Sequence, residues 1–413
     1  SFLVAFAMVA GWWANELGRR AFTRGDTRTW LMGVLAILVT LSYAQAQLQD
    51  EYTNRYFFEY LKIVVIAMFT VGQVDSQQRL RAQFWVIAIS LGFFGVKNGV
   101  IGVLRGGGQI LRGPGGMLED NNDFALALVM NVPLLWYLGI AEQAKPYVRR
   151  ATQIAVGLTV VTVLLTHSRG GFLALCATAM WIAWRSGQLF RAMLALGTLA
   201  LLFPLLAPEE VLERLASIGD SKESSANARL TAWGTALRMI GDNPIWGVGL
   251  RNFQPRYPEY SLLPPGAPQT TYVAHNSYLQ IWAESGSLAF GVYLLLLATT
   301  FLTLGRIYRL GRLRPDLAWA SNYARMMEAT MIGFSVGAFF LNRGHFDLFY
   351  HWIALVASLW LVARAELVRG PVAVAAARGE PVREVQVRLP GEPATAGSAP
   401  VPVTTFRRRT RWR

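Results

Sequence analysis

Ala274-His275-Asn276-Ser277-Tyr278-Leu279-Gln280-Ile281-Trp282-Ala283-Glu284-Ser285-Gly286 ends the one long polar excursion of an otherwise apolar chain and opens an apolar run that continues to residue 304. Asn276, Gln280 and Glu284 recur every four residues, so on a helix they share one face. A lipid-facing helix has no use for such a face, because polar groups inside a membrane are costly and mostly line a cavity. The stretch therefore reads as a membrane helix with chemistry at its start.

The composition agrees. The 413 residues are 53% hydrophobic and 15% charged, with a mean hydropathy of +0.33, which excludes a disordered or ordinary soluble chain and predicts many membrane spans. The net charge of +14 is that of a polytopic protein with basic cytoplasmic loops. Nucleic acid is not an expected partner, since no basic soluble face with interleaved aromatics precedes the extreme tail. Cys176, the single cysteine, lies in an apolar run and reads as a small core residue. The chain begins at Ser1 inside a hydrophobic segment, which predicts that further sequence precedes it.

Apolar runs near the ~20-residue spanning length fall at 1–17, 30–48, 57–74, 82–104, 122–141, 150–166, 170–184, 189–207, 278–304, 325–342 and 349–367. The expected fold is an all-α polytopic membrane protein of about 11–12 transmembrane helices, with one long, partly helical periplasmic loop. Arginine and lysine set its orientation. Arg19, Arg20, Arg24 and Arg28, then Arg79 and Arg81, then Lys145, Arg149 and Arg150, then Arg185 and Arg191 fall in alternate loops. Arg306, Arg309, Arg312, Arg314, Arg364 and Arg369 continue the series, so that side is expected to be cytoplasmic. The chain divides into N-terminal transmembrane helices (1–207), a periplasmic loop (208–277), C-terminal transmembrane helices (278–369) and a disordered cytoplasmic tail (370–413). That tail is rich in Pro, Ala, Val and Arg and is suited to lying on anionic lipid. All four histidines, His167, His275, His345 and His351, fall at or beside the outer boundary.

The long loop is expected to fold. Ser224-Ser225-Ala226-Asn227 offers capping chemistry ahead of an amphipathic helix, 228–240, with Leu230, Trp233, Leu237 and Ile240 on one face. Gly241-Asp242-Asn243-Pro244 ends it, Gly247-Val248-Gly249 turns, and five prolines between 255 and 268 keep the next stretch irregular. Tyr257, Tyr260 and Tyr272 suit either the membrane interface or stacking on sugar rings, the interface being the plainer reading.

Several side chains suit anion chemistry. Arg169, in His167-Ser168-Arg169-Gly170-Gly171, either snorkels from a helix end or aims a guanidinium at a phosphate that the two glycines let approach. Arg229 sits in the first turn of the loop helix, where the macrodipole disfavours a cation and a bound anion would compensate. Arg251 and Arg256 are weaker candidates. His275 is a suitable base near neutral pH. Glu284, ~13 Å further along the helix, reads as a buried partner for an arginine rather than a catalytic acid. Glu119-Asp120-Asn121-Asn122-Asp123 suits a divalent cation or, better, a helix cap that meets arginines across a cavity. Motifs of zinc hydrolases, ATPases and serine hydrolases are missing from the sequence.

Ser168-Arg169-Gly170-Gly171, Arg229-Leu230-x-x-Trp233, Asn243-Pro244-Ile245-Trp246-Gly247-Val248-Gly249 and His275-Asn276 through Glu284-x-Gly286 form an ordered set that resembles the O-antigen ligase and polymerase superfamily. Gly106-Gly107-Gly108, Gly113-Pro114-Gly115 and Glu119-Asp120-Asn121-Asn122 look like its exosortase-associated O-glycosylation ligase branch. The resemblance implies a GT-C-like, metal-independent glycosyltransferase of the bacterial inner membrane that needs no cofactor. It would move a glycan from undecaprenyl diphosphate to an acceptor hydroxyl on lipid A core, protein or a growing glycan at the periplasmic face. Arg169 and Arg229 would hold the diphosphate and His275 would act as base, with Arg251, Asn276, Gln280 and Glu284 as further substrate contacts. A polysaccharide polymerase of the same superfamily is an alternative, and a small-anion transporter a more distant one, since transporters place polar groups near the midplane.

Overall fold

The computed structural model describes residues 2–15, 20–108, 110, 112–141, 145–188, 228–261 and 271–369. Ten of the eleven apolar runs lie on helices there, and the other, 189–207, lies outside the described residues together with the expected cap at 224–227 and the tail. The helices are α1 (Phe2–Asn15), α2 (Thr27–Ala44), α3 (Glu51–Gln73), α4 (Gln77–Leu104), α5 (Asn121–Ala141), α6 (Pro146–Leu165), α7 (Arg169–Arg185), α8 (228–242), the single turn α9 (Tyr257–Tyr260), α10 (Ser277–Leu313), α11 (Ala318–Ala338) and α12 (Asp347–Arg369). Among the described residues the only pairing of strand type is one isolated bridge, Arg112 to Asp120.

The protein is an all-α polytopic membrane protein. Seven described helices, α2 to α6, α10 and α12, are long and apolar enough to cross a membrane. By contrast α1 and α7, with 14 and 17 residues, are shorter than that length, and α11 carries Arg325 and Glu328 within it. The most enclosed span is α5, with 78% of its apolar window buried inside the protein, followed by α12 with 67%. They are the axis against which α2, α3, α4, α10 and α11 bury one continuous apolar core. Thus the N-terminal and C-terminal helices interleave: α10 lies on α2, α12 on α3, and α11 on both α5 and α7.

Small residues set the closest approach. A Cβ at Gly99 of α4 would overlap the Leu158 carbonyl of α6, and one at Gly95 would overlap Thr159. Bare backbone here lets the two helices touch, the expected device where lipid offers no hydrophobic drive between helices.

The two ends of the bundle differ. At one, arginines pair with acids or helix-end carbonyls: Arg20 with Asp75 at 3.0 Å, Arg24 with the Val71 carbonyl at 2.7 Å, and Arg185 with Glu328 at 2.8 Å. At the other, the long connections gather over the starts of α3, α5, α7 and α10. The described part of the long loop is folded there around its own small core, built from Ala232, Ala236, Met239, Val248, Phe253 and Tyr257.

Two expectations about that loop need correction. Leu230 and Leu237 are exposed, at 61% and 55%; of the expected face Ile240 is buried and Trp233 half-buried, and the rest of the buried face of α8 is Ala232, Thr235, Ala236 and Met239. Small side chains let α8 lie close to the loop, and its two leucines turn outward. Tyr257 lies neither at an interface nor open to a sugar: it is 1% exposed, with ring contacts to Phe253 and Tyr272. The Tyr260 hydroxyl is likewise engaged, accepting from Asn243 Nδ2 at 2.9 Å.

A break in α10 receives the loop. Gly286 leaves helical geometry at φ 77°, which only glycine adopts without strain. The break frees carbonyls that the loop and α2 then satisfy. Val248 N–H donates to Ala283 O at 2.8 Å, Gly249 N–H to Glu284 O at 3.0 Å, and Ser42 Oγ to Glu284 O at 2.7 Å. Ser287 N–H returns to Pro244 O at 2.8 Å. A Cβ on Gly247 would overlap the Glu284 backbone, and one on Gly286 the Ile245 carbonyl. The two glycine motifs are thus the two halves of one joint.

Candidate active site at the loop end

Each residue that carries charge here is held by a local device. Arg169 opens α7, whose cap is Ser168, its Oγ accepting from Gly171 N–H at 3.1 Å. Thr166 O accepts from Asn121 Nδ2 at 2.8 Å, and Leu165 O from Ile110 N–H at 2.9 Å, which ties the α6–α7 turn to α5 and to the 105–120 loop. The guanidinium itself is left at the surface. Contrary to the expectation from sequence, Gly170 and Gly171 do not open space for a ligand. Both are buried, and added Cβ atoms would press on Phe340 and Ala125. Their role is to seat the start of α7 against α5 and α11.

Arg229 stands in the first turn of α8, half-buried. The helix is pinned one turn later by Trp233, whose Nε1–H donates to Ala274 O at 2.9 Å and whose ring meets Phe339 edge-on at 5.5 Å. That anchor sits beside His275 in the chain, so it brings Arg229 and His275 together. Burial, and then the charge of Arg169, lower the Arg229 pKa. Burial, and then Arg229, lower the His275 pKa below the usual imidazole value, against an opposing pull from Asp120. Arg169, Arg229, His275 and Asp120 therefore form one electrostatic group drawn from four separate segments. Neither Arg169 nor Arg229 has a carboxylate partner among the described residues. Two cations that feel each other's charge, and that have no carboxylate partner among the described residues, suit an anion.

The polar face that follows His275 is enclosed by protein instead of lining open space. Asn276, Gln280 and Glu284 are each 2% exposed. Asn276 is the N-cap of α10, its Oδ1 accepting from Tyr278 N–H at 3.0 Å and Leu279 N–H at 3.1 Å. Gln280 Nε2 donates to Glu284 Oε2 at 3.3 Å. The Glu284 carboxylate faces the charge of Arg251 and the backbone N–H groups of Arg251 and Phe253. Glu284 is buried, as the sequence suggested, but among the described residues it forms no ion pair with an arginine; Arg251 acts on it only through its charge and its backbone N–H. Arg251 belongs to this second cluster: it lies over the rings of Tyr52 and Tyr56 at 4.9 and 4.5 Å, and its guanidinium donates to the Tyr52 hydroxyl. Arg256 pairs with Glu259 at 2.7 Å.

One residue escaped the sequence reading. Arg343 pairs with Asp123 of α5, and its backbone N–H donates to Ser277 Oγ at 2.8 Å. Ser277 Oγ in turn donates to Leu341 O at 2.7 Å. These bonds clip the α11–α12 connection under the start of α10. The only signal in the sequence was Arg343-x-His345 in a short outer loop. His345 is buried, with Nδ1 3.2 Å from the Tyr350 hydroxyl, and burial followed by Arg251 lowers its pKa to about 3. Among the described residues, acidic, histidine and cysteine side chains form no group of three able to hold a metal ion.

Comparison with known proteins bears on this region directly. Residues 154–294 match a family model described as O-antigen ligase. Residues 1–142 match a second, described as a family of unknown function. No curated protein matches the chain. The ligase match contains Arg169, Arg229, Arg251, His275, Asn276, Gln280 and Glu284, whereas Asp120 and Arg343 lie outside it.

Proposed function

We propose, from this chain's membership of the O-antigen ligase and polymerase superfamily, that it transfers a glycan from undecaprenyl diphosphate to an acceptor hydroxyl at the loop end of the bundle. In this reading the arginine-rich end is cytoplasmic, the loop end faces the periplasm of a bacterial inner membrane, and the architecture is GT-C-like. The observation that carries it is the group formed by Arg169, Arg229 and His275, in which two arginines without carboxylate partners among the described residues stand beside an imidazole of lowered pKa.

The chemistry assigned to each follows from charge. As the acceptor oxygen bonds to the anomeric carbon, the bond from that carbon to the phosphate oxygen breaks; negative charge develops on the phosphate oxygen that had held the sugar, and preorganised guanidinium groups stabilise it as it forms. The acceptor hydroxyl needs a proton acceptor within hydrogen-bond reach. His275 is held neutral near pH 7 by burial and by Arg229, so its free ring nitrogen takes that proton. Asp120 stabilises the imidazolium that results. Asn276, Gln280, Glu284 and Arg251 act as positioning residues, fixing the start of α10 and the loop against it. The motifs that suggest the O-glycosylation ligase branch lie at 106–122, and on that basis we assign a protein acceptor ahead of a lipid one.

Reconstitution tests this. Proteoliposomes holding the full chain would receive an undecaprenyl-diphosphate-linked oligosaccharide with either protein or lipid A core as acceptor. Glycosylated acceptor is the expected product, falling at least ~100-fold in Arg229→Ala and His275→Ala variants that still insert. Full transfer by both variants would sink the residue assignment. Longer glycans on the lipid, with no acceptor modified, would make the enzyme a polymerase.

A further inference from the structure

A cleft lies away from this site. On the side of the bundle, α5, α6, α7 and α11 enclose a cavity of 720 Å³. Most of its wall is aliphatic or aromatic, with Val160 and Leu164 of α6 facing Phe172 and Ala179 of α7. Its polar lining is confined to one end, where Tyr137, Arg185, Ser186, Gln188, Asn322 and Arg325 meet. That is the arginine-rich end, opposite to Arg169 and His275. Between Phe172 and Arg185 the wall runs ~20 Å at 1.5 Å per residue, which exceeds one leaflet of a ~30 Å hydrocarbon core. An apolar slot with a polar mouth at the membrane surface has the polarity of an amphiphile.

Charge selects the amphiphile. Arg185 is committed to Glu328, with Nε and Nη2 at 3.1 and 2.8 Å from one carboxylate oxygen. Arg325 has no carboxylate partner among the described residues. Its Nη2 donates to the Tyr308 hydroxyl at 2.6 Å, its guanidinium lies 4.6 Å from that ring, and its Nε is buried without a hydrogen-bond partner. Among the described residues, two guanidinium groups against one carboxylate leave the mouth positive. We propose that this cleft holds an anionic phospholipid of the leaflet at the arginine-rich end, its phosphate on Arg325 and an acyl chain between α6 and α7. The buried Nε is out of a ligand's reach, but Nη1 makes no hydrogen bond among the described residues, and a guanidinium with such an N–H suits a phosphate oxygen. The site does not depend on the transfer reaction proposed above.

Cys176 reports its occupancy, because the only cysteine of the chain lines the cleft. Purified full chain in a non-ionic detergent would be mixed with phosphatidylglycerol, phosphatidylcholine or undecaprenyl phosphate, and modification of Cys176 by N-ethylmaleimide followed by intact mass. Phosphatidylglycerol is expected to slow modification about fivefold more than phosphatidylcholine does, the order of one arginine's attraction to anionic lipid. Arg325→Gln should abolish that difference and Arg325→Lys should keep most of it. Equal slowing by the two phospholipids, or slowing by neither, overturns the proposal. So does slowing by undecaprenyl phosphate alone, which would make the cleft a seat for a polyprenyl chain. If Arg325→Gln fails to accumulate, the comparison of lipids on the unaltered chain decides.

Discussion

His275 occupies the left-handed region of backbone space at φ 44°, as do His167 at 53° and Arg251 at 62°, and all three lie at the loop end. Among non-glycine residues such geometry carries strain that surrounding contacts must hold, and it gathers at functional sites. At His275 the holding contacts are the α10 cap at Asn276 and the Trp233 bond to Ala274. The lowered pKa gives a pH dependence with a definite sign. A base works in its neutral form, and a pKa below the ordinary value of 6.5 keeps the imidazole neutral further into acid. Transfer measured at donor concentrations well below saturation, which reports the free enzyme, should therefore stay level from pH 8 to the ordinary histidine value and fall only below it, ~10-fold per pH unit. An inflection above that value would show that another group is the base. At this scale the sequence offered residue types: arginines suited to phosphate and a histidine suited to take a proton, roles that the transfer assay tests. The role of Gly170 and Gly171 was not legible, because a glycine that admits a ligand and one that admits a neighbouring helix look the same in one dimension.

At the scale of elements, the break in α10 and the turn at 244–249 determine how the loop is mounted. Helix α10 gives up its continuity at Gly286, and the freed carbonyls of Ala283 and Glu284 are taken by backbone N–H groups of the loop. Gly286→Ala should cost about 2–4 kcal/mol, the range of strained backbone plus overpacking, seen as a lower melting temperature in detergent with loss of transfer. Gly291, five residues on in the same helix, has nothing within 4 Å of an added Cβ, so Gly291→Ala should leave both unchanged or slightly improved. Equal behaviour of the two variants would remove the joint from the account. Turn signals and the helix at 228–240 were readable because both are local. Most of the face that α8 buries was not: Leu230 and Leu237 turn outward, while Ala232, Thr235, Ala236 and Met239 pack inward beside Ile240.

Across the whole molecule, the site is assembled by helices far apart in the chain. Asp123 on α5 and Arg343 in the α11–α12 connection join the two halves at the loop end, with Ser277 between them and α10. A double-mutant cycle of Asp123→Asn and Arg343→Gln, followed by thermal unfolding, should give a coupling of roughly 0.5–3 kcal/mol, with transfer reduced in each single variant. Additive losses would mean that the pair does not tie the halves together. Hydropathy and residue spacing by themselves determined the helical membrane fold and the excess of basic residues at the end opposite the long loop. These are properties of short windows, and water, lipid and charge act on such windows directly. Tertiary structure alone decided that the polar face after His275 is a support enclosed by protein, that Glu284 lies within the field of Arg251, and that Arg169, Arg229 and His275 form one electrostatic group. Those outcomes depend on which buried polar group finds which partner across tens of residues, and only the packed arrangement of helices fixes that pairing.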